Sequence, residues 1–228
     1  MTRYFAVVPA AGSGTRMGKN MPKQYLPVVG KPVLQHVLES LVRIKCVERV
    51  VVALAPADPY WHKLEISGHP KIATTIGGRE RADSVLNGLQ ALKAVAHEQD
   101  FVLVHDAARP CLRLEDALRL ITTLAEDPVG GILALPSVDT LKEVEQSEIA
   151  CTLDRRKIWR ALTPQLFRYG LLLEALNAAC QAGLQVTDES QAVERAGYKP
   201  KIIEGSPDNL KITRPEDLDL AEFYLQRR

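Results

Sequence analysis

Short apolar runs of strand length alternate along the chain with segments of helical periodicity, and no other feature of the sequence constrains the fold as strongly. The runs lie at residues 4–9, 49–54, 72–76, 101–105 and 131–136. Each is predominantly apolar rather than alternately apolar and polar, which is typical of strands buried on both faces. The runs therefore predict a mostly parallel sheet.

Apolar residues between these runs recur at the spacing of one helix face. Leu34, Val37, Leu38 and Leu41 show the pattern first, and it returns in residues 82–92, 114–124, 166–180 and 216–224. Alternation of strands and helices predicts an α/β fold with an open, Rossmann-like sheet and helices on both faces. The length of 228 residues suits one domain, so we expect a single domain spanning 1–228.

Residues 137–153 depart from the alternation. Their sequence, SVDTLKEVEQSEIACTL, alternates apolar and polar residues around a Glu-Gln-Ser-Glu turn, which predicts a protruding β-hairpin arm. A two-stranded hairpin is marginally stable in water by itself and usually packs against something. The residues alone leave two interpretations open: a surface excursion of this chain, or an arm that reaches a second subunit.

Charge and cysteine usage exclude several classes of protein. The chain has 29 Lys and Arg against 28 Asp and Glu, a net charge of +1, whereas a general nucleic-acid binder carries a strongly basic field. The four cysteines are scattered without a CxxC pair, which argues against a zinc site or a disulfide framework. No apolar run has the length of a membrane span, and the start lacks the apolar core of a signal peptide. We expect a soluble, cytoplasmic protein.

The connection after the first strand is the strongest candidate for a binding site. Residues 9–18 read PAAGSGTRMG, followed by Pro-Lys-Gln at 22–24. Its glycines let backbone N–H groups approach phosphate oxygens, and Arg16 and Lys23 add two cations. The loop lies at the carboxyl end of a strand, where open α/β sheets bind ligands. Met17 replaces the third glycine of a dinucleotide fingerprint, and Gly-Lys-Ser/Thr is absent, so we predict a phosphate cradle of another kind.

Two further strand ends carry polar residues. Asp106 follows the buried fourth run, where one carboxylate could hold Mg²⁺ together with substrate phosphates; a turn or cap Asp above a core His105 is the plain alternative. The segment 77–85, GGRERADSV, joins the third run to a helix and could form either a tight capped turn or a wall for a base or an anion. Thr163-Pro164 reads most simply as the start of a helix.

Taken together, the motifs resemble those of the 2-C-methyl-D-erythritol 4-phosphate cytidylyltransferases of the non-mevalonate isoprenoid pathway. The resemblance covers nearly the whole chain. The first motif is shared with nucleotidyltransferases in general, and the more specific ones lie at residues 105–110, 139–142, 161–165 and 208–211. It implies an enzyme that transfers the cytidylyl group of CTP to methylerythritol phosphate with Mg²⁺, releasing pyrophosphate.

The resemblance also implies roles for individual residues. Arg16 and Lys23 look like the residues that stabilise the transition state. The nucleotide would be bound by Ala10, Ala11, Gly12, Gly78, Ser84 and Asp106, with Asp106 close to the ribose or the metal. The acceptor would be bound by Arg109, Thr140, Arg155, Thr163 and Lys211. The hairpin arm would reach across a homodimer, so that some of these residues serve the partner's site.

Two alternatives stay open on the sequence. One is a different sugar- or polyol-phosphate nucleotidyltransferase, with ribitol 5-phosphate as the first acceptor to consider. The other is a regulator that binds CTP and turns nothing over; the presence of both Arg16 and Lys23 argues against it. The acceptor's identity rests on the resemblance alone.

Overall fold

A seven-stranded sheet forms the centre of the molecule in this computed structural model, which describes residues 2–12 and 21–227. The strands, which include two separate pairs outside this sheet (β2 with β3, and β8 with β9), are β1 Tyr4–Pro9, β2 Pro27–Val28, β3 Lys31–Pro32, β4 Val47–Leu54, β5 Ile72–Ile76, β6 Phe101–Val104, β7 Gly130–Pro136, β8 Lys142–Glu145, β9 Glu148–Thr152, β10 Trp159–Arg168 and β11 Lys201–Glu204. The helices are α1 Val33–Val42, α2 Arg81–Ala91, α3 Leu114–Leu124, α4 Tyr169–Gln181, α5 Glu189–Arg195 and α6 Glu216–Leu225.

The strand order of the large sheet is β11-β7-β10-β6-β1-β4-β5. Strands β6, β1, β4 and β5 are mutually parallel, and β11 is parallel to β7, whereas β10 runs antiparallel to both of its neighbours. The loops that follow β1, β5 and β6 therefore leave the sheet at one edge. The predicted open, mostly parallel α/β sheet is confirmed.

Helices cover both faces of the sheet, as predicted. In β1, Ala6 and Val8 point to the face covered by α1 and α3, while Phe5 and Val7 point to the face covered by α2 and α4. All four side chains are almost fully buried. Because successive residues of a strand point to opposite faces, a continuous apolar run is what a sheet buried on both faces requires.

The prediction of a helix over 166–180 is wrong at its start. Residues 166–168 end strand β10, in which Leu166 packs on one face of the sheet and Phe167 on the other. That two-residue alternation is the period of a strand rather than a helix. Thr163-Pro164 likewise does not begin a helix, since it lies inside β10 with a cis peptide bond. Helix α4 begins at Tyr169.

The predicted hairpin is present as β8 and β9, which pair in antiparallel fashion. Gln146 and Ser147 connect them with φ values of 47° and 70°, and positive φ at both central residues is the mark of a tight hairpin turn. Every residue of both strands is exposed, including Val144 and Ile149 at 57% and 64%.

The helices described in residues 2–12 and 21–227 include none that is both long and apolar enough to cross a membrane. The four cysteines are free thiols. Of these, Cys111 is buried and the other three are exposed.

Candidate active site

A cavity of about 430 Å³ opens at the edge of the sheet where β1, β5 and β6 end. It brings together eight residues that the sequence singled out from four separate segments. They are Ala10, Ala11, Gly12, Lys23, Gly78, Ser84, Asp106 and Lys211. The segments meet because parallel strands deliver their following loops to the same edge.

The beginning of the glycine loop is tied down by Gln24. Its side-chain amide donates hydrogen bonds to the carbonyl oxygens of Ala10, at 2.8 Å, and Gly12, at 3.0 Å. The backbone N–H of Ala10 in turn donates to the carbonyl of Ala53 at 2.8 Å. This anchoring fixes the path of the backbone that the sequence predicted to face phosphates. Arg16, the other predicted cation of the loop, lies outside the described residues.

Lys23 connects the glycine loop to the carboxyl-terminal segment. Its ammonium group donates to the carbonyl oxygen of Ile212 at 2.7 Å, and the N–H of Ile212 donates to the carbonyl of Ala108 at 2.8 Å. The neighbouring Lys211 lines the same cavity. Two lysines that are 188 positions apart in the chain therefore face one pocket, as the binding of a polyphosphate requires.

The turn that leads into α2 forms another part of the cavity wall and packs against Ala11 of the glycine loop. The Ser84 hydroxyl accepts from the N–H of Gly78 at 3.0 Å and donates to the carbonyl of Glu80 at 3.2 Å. A side chain at Gly77 would overlap the Cβ of Ala11, and one at Gly78 would overlap Asp83. Both glycines are therefore required by the close approach of neighbouring atoms, and the turn has one well-defined shape.

Asp106 lies at the base of the cavity among three cations. Its Oδ1 accepts from Nε of Arg81 at 2.9 Å, while Oδ2 lies 2.9 Å from Nζ of Lys211 and 3.4 Å from Nε of Arg109. Burial alone would raise the pKa of Asp106, but the positive charges of Arg81, Lys211 and Arg109 outweigh it and hold the pKa well below its usual range. Asp106 is therefore ionised throughout the physiological pH range.

Arg81 and Glu189 form an ion pair that the sequence did not point to. Nη1 and Nη2 of Arg81 donate to the two carboxylate oxygens of Glu189 at 2.7 and 3.0 Å. The Glu189 residue is fully buried. In the sequence, 108 positions separate Glu189 from Arg81, so no local spacing connects the two.

Arg109 and Thr163 lie beneath the cavity rather than along its lining. The Thr163 hydroxyl accepts from the N–H of Asp106 at 3.1 Å. Arg109 donates from Nη1 to the carbonyl of Asn209 at 2.8 Å, and Asn209 donates from its side chain to the carbonyl of Thr163 at 2.7 Å. In this structure both residues support Asp106 and the segment that carries Lys211. Direct contact with an acceptor stays a prediction for both.

Thr140 and Arg155 lie on and beside the hairpin arm and are exposed. Arg155 donates from Nη1 to the carbonyl of Val138 at 2.6 Å. Neither residue lines the cavity of its own chain. Their predicted role in binding the acceptor is therefore not assembled within one copy of the chain.

The described residues of the cavity include no set of side chains that would hold a magnesium ion by themselves. Mg²⁺ prefers oxygen ligands in octahedral geometry and usually takes one or two carboxylates. Within the described part of the chain, no cluster of three or more His, Cys, Asp or Glu side chains is arranged to hold a metal. Both oxygens of Asp106 already contact cations. The carboxylate that the sequence suggested as a ligand pairs with three positively charged side chains in this structure, and its contact with a metal stays a prediction.

Comparison with known proteins agrees with this geometry. The family model described as IspD, 2-C-methyl-D-erythritol 4-phosphate cytidylyltransferase, matches residues 4–227. The chain belongs to this family. It is 52% identical to 2-C-methyl-D-erythritol 4-phosphate cytidylyltransferase of Ectopseudomonas mendocina, over 99% of this chain and 97% of that protein.

Solved structures of the cytidylyltransferase family share the fold. A crystal structure of 4-diphosphocytidyl-2C-methyl-D-erythritol synthase superposes with a TM-score of 0.86 at 39% identity, covering 99% of both chains. The Francisella tularensis 2-C-methyl-D-erythritol 4-phosphate cytidylyltransferase gives a TM-score of 0.85 at 33% identity, covering 98% of this chain and 100% of that one. The family resemblance inferred from the motifs is confirmed, and an enzyme rather than a regulator is what the family comprises.

Proposed function

We propose that this chain transfers the cytidylyl group of CTP to the phosphate of 2-C-methyl-D-erythritol 4-phosphate. The products are 4-diphosphocytidyl-2-C-methyl-D-erythritol, a precursor for isoprenoids, and pyrophosphate. Membership of the cytidylyltransferase family supports the substrates. The single structural observation that carries the chemistry is the convergence of residues 9–12, Lys23 and Lys211 on one cavity.

The attacking group needs no catalytic base. A phosphate monoester has a second pKa of about 6, so at neutral pH it is largely a dianion and already a nucleophile. The histidine nearest the cavity, His105, is fully buried and both of its ring nitrogens have hydrogen-bond partners. The enzyme must instead neutralise charge around the α-phosphorus and align the attacking oxygen with the departing pyrophosphate.

Lys23 supplies positive charge where negative charge builds up. Its position at the mouth of the glycine loop supports a role in stabilising the pentacoordinate transition state, together with Arg16, whose role rests on the family motif. The backbone of Ala10, Ala11 and Gly12 faces the cavity and would contact the nucleotide. Mg²⁺ would be bound to the phosphates of the nucleotide, because the described residues of the cavity offer it no set of protein ligands.

The cytosine would lie against the turn formed by Gly78 and Ser84, and the ribose near Asp106. The rigid hydrogen-bonded turn offers a flat surface of glycine backbone on which a base can pack. Lys211, the only residue of the 208–211 motif that lines the cavity, would bind the acceptor's phosphate.

The arm of a second copy would complete the acceptor site. Arg155 and Thr140 are exposed and do not line the cavity of their own chain, and the arm also exposes Val138, Val144 and Ile149 at 74%, 57% and 64%. Exposed apolar side chains on a hairpin whose strand residues are all exposed fit an interface between copies. We therefore assign the chain one domain, 1–228, with 137–153 as its dimerisation arm. The free thiols suit a cytoplasmic location.

Mixing two impaired variants tests the arm, with the acceptor held below the wild-type KM, where each variant alone is nearly inactive. If Arg155 acts in the partner's site, Arg155→Ala and Lys23→Ala subunits form mixed dimers in which one site is intact. Exchange of subunits should then restore about a quarter of the wild-type activity. Ile149→Asp should shift the molar mass measured by light scattering from dimer to monomer. A monomeric wild-type chain, or mixtures that stay inactive, would contradict the shared site.

Pyrophosphate release tests the reaction itself. The purified chain is incubated with CTP and Mg²⁺, and methylerythritol phosphate and ribitol 5-phosphate are offered separately, with UTP and ATP as nucleotide controls. Turnover confined to CTP and methylerythritol phosphate is the expected result. Preference for ribitol 5-phosphate would keep the proposed mechanism but assign the enzyme to a different pathway. CTP binding without turnover would instead favour a regulator that binds CTP.

A further inference from the structure

We infer that Glu189 is a positioning residue of the active site, which acts through Arg81 to hold Asp106 at the base of the cavity. The inference rests on the proposed function, because it assigns the residue to that same site. Glu189 lies outside the lining of the cavity and touches no position where substrate is expected. Its effect must therefore pass through the side chain that it binds.

The contact geometry supports this transmission. Arg81 presents one edge of its guanidinium group to Glu189, through Nη1 and Nη2 at 2.7 and 3.0 Å, and its Nε to Asp106 at 2.9 Å. A planar guanidinium bound along one edge by a carboxylate has its orientation fixed. The direction in which Nε points, and hence the position of Asp106 Oδ1, is therefore set by Glu189.

Glu189 is itself held by the sheet. The side chain of Gln165 in β10 donates to Asp188 at 2.9 Å and accepts from the N–H of Ser190 at 2.9 Å. Asp188 also accepts from the N–H of Gln191 at 2.9 Å, which closes the first turn of α5. Glu189 is therefore clamped between two residues that strand β10 fixes.

Strand β10 holds both ends of this chain of contacts. Thr163, two positions before Gln165, accepts from the backbone N–H of Asp106. Asp106 is therefore fixed through its backbone by Thr163 and through its carboxylate by the route Gln165, Glu189 and Arg81. The stability of a buried ion pair requires only that its charges be paired. Here the position of one carboxylate is fixed from two directions, which indicates a role in positioning.

The charge balance indicates what removal of Glu189 would do. Within the described residues, Arg81, Arg109 and Lys211 all form ion pairs with Asp106, and Arg81 also pairs with Glu189. Without the Glu189 charge, Arg81 must turn toward Asp106 to find a second acceptor, and it would compete with Lys211 there. Because Arg81 is also the first residue of α2, directly after the turn that carries Gly78, the nucleotide side of the site would be disturbed first.

Glu189→Gln tests the inference, because glutamine keeps the size but presents an NH₂ donor to one guanidinium nitrogen. We expect kcat/KM for CTP to fall about 10- to 100-fold, with a rise in KM for CTP. Glu189→Asp, which restores the charge, should recover part of the loss. In the double variant with Arg81→Gln, the loss should not exceed that of Arg81→Gln alone, because both changes break the same contact.

Asp100→Asn is the matched control. Asp100 is a similarly buried carboxylate that accepts from Arg3 at 2.8 Å, and it precedes β6 at the end of the strand opposite to Asp106. The variant Asp100→Asn should lower the Tm at least as much as Glu189→Gln does, while its kcat/KM stays within about twofold of the wild-type value. All assays are run at 25 °C, where every variant is folded.

The outcomes separate the two claims. A loss in Glu189→Gln no larger than in Asp100→Asn, or one that adds fully to that of Arg81→Gln, overturns the positioning role. If the wild-type chain transfers cytidylyl groups to no acceptor, the proposed function fails. The positioning role is then decided by calorimetry with CTP, which must bind more weakly to Glu189→Gln than to Asp100→Asn.

Discussion

The hydroxyl of Thr163 lies 2.9 Å from Nδ1 of His105, although 58 positions separate the two residues in the chain. The other ring nitrogen, Nε2, lies 3.1 Å from the carbonyl oxygen of Arg109. A carbonyl only accepts, so Nε2 carries the proton and Nδ1 accepts from Thr163. His105 is therefore a neutral ring of one tautomer, and burial lowers its pKa from 6.5 to about 4.

This buried ring predicts a loss of stability in mild acid. Between pH 6.5 and 4 the unfolded chain binds a proton at His105 that the folded chain does not, so stability that is present above about pH 6.5 is lost as the pH falls toward 4. We expect the free energy of unfolding to decrease by about 2 kcal/mol from pH 7 to pH 5. Urea titrations at the two pH values measure it.

His105→Gln is the control for that experiment, because it removes the titrating ring. The pKa of Asp106 is also lowered. Its contribution to the free energy of unfolding is lost only as the pH falls below about 4, the ordinary pKa of an aspartate, and so does not change between pH 7 and 5. The decrease between pH 7 and 5 should therefore shrink in the variant. Equal decreases in the wild type and the variant would assign the pH dependence to another group.

A methyl group at Gly78 should damage nucleotide binding. In Gly78→Ala the new Cβ would overlap Asp83, which forces the turn to move and breaks the Gly78 N–H bond to Ser84. We expect KM for CTP to rise on the order of 10-fold. Gly68→Ala, where a Cβ meets open space, should leave KM unchanged. Similar kinetics for the two variants would show that the turn does not bind the base.

Lys23→Ala should lower kcat far more than it weakens CTP binding. A cation that matters most as charge builds in the transition state contributes little to the ground state, so we expect a decrease of about 10²- to 10³-fold in kcat. CTP affinity is measured separately by calorimetry. Lys31→Ala, which removes a lysine paired with Glu39, is the control. A rise in KM with unchanged kcat would contradict the catalytic role.

The sequence predicted the parts of the fold that local pattern encodes. Buried strands such as Phe101–Val104 are apolar throughout and flanked by polar residues, so their existence and their order along the chain follow from the sequence pattern. The glycine loop, Gly78 and Asp106 were found for the same reason, since each directly follows such a strand. Strand β11 was missed because its four residues are mostly exposed, and α5 was missed because seven residues give too few turns for a periodicity.

What the sequence could not predict are contacts between distant segments. Arg81 and Glu189 are separated by 108 positions, and Lys23 and Ile212 by 189. No spacing rule relates such pairs, because only the order of strands in the sheet brings them together. For the same reason the sequence wrongly predicted that Thr163 begins a helix. Thr163 lies in β10, where its hydroxyl accepts a hydrogen bond from the N–H of Asp106.

Arg155→Ala should raise KM for the acceptor while leaving CTP affinity nearly intact. Arg155 is exposed beside the arm and lines no part of the cavity within its own chain, so its loss leaves the nucleotide pocket as it is. A phosphate clamp that loses one of two cations typically costs 1.5–3 kcal/mol, which corresponds to a rise of about 10- to 100-fold in KM. The neighbouring Arg156→Ala is a close control, because Arg156 is exposed too and pairs only locally, with Asp154 at 2.9 Å. Its KM should stay within about twofold of wild type. A collapse of CTP affinity in Arg155→Ala would instead assign the residue to the nucleotide.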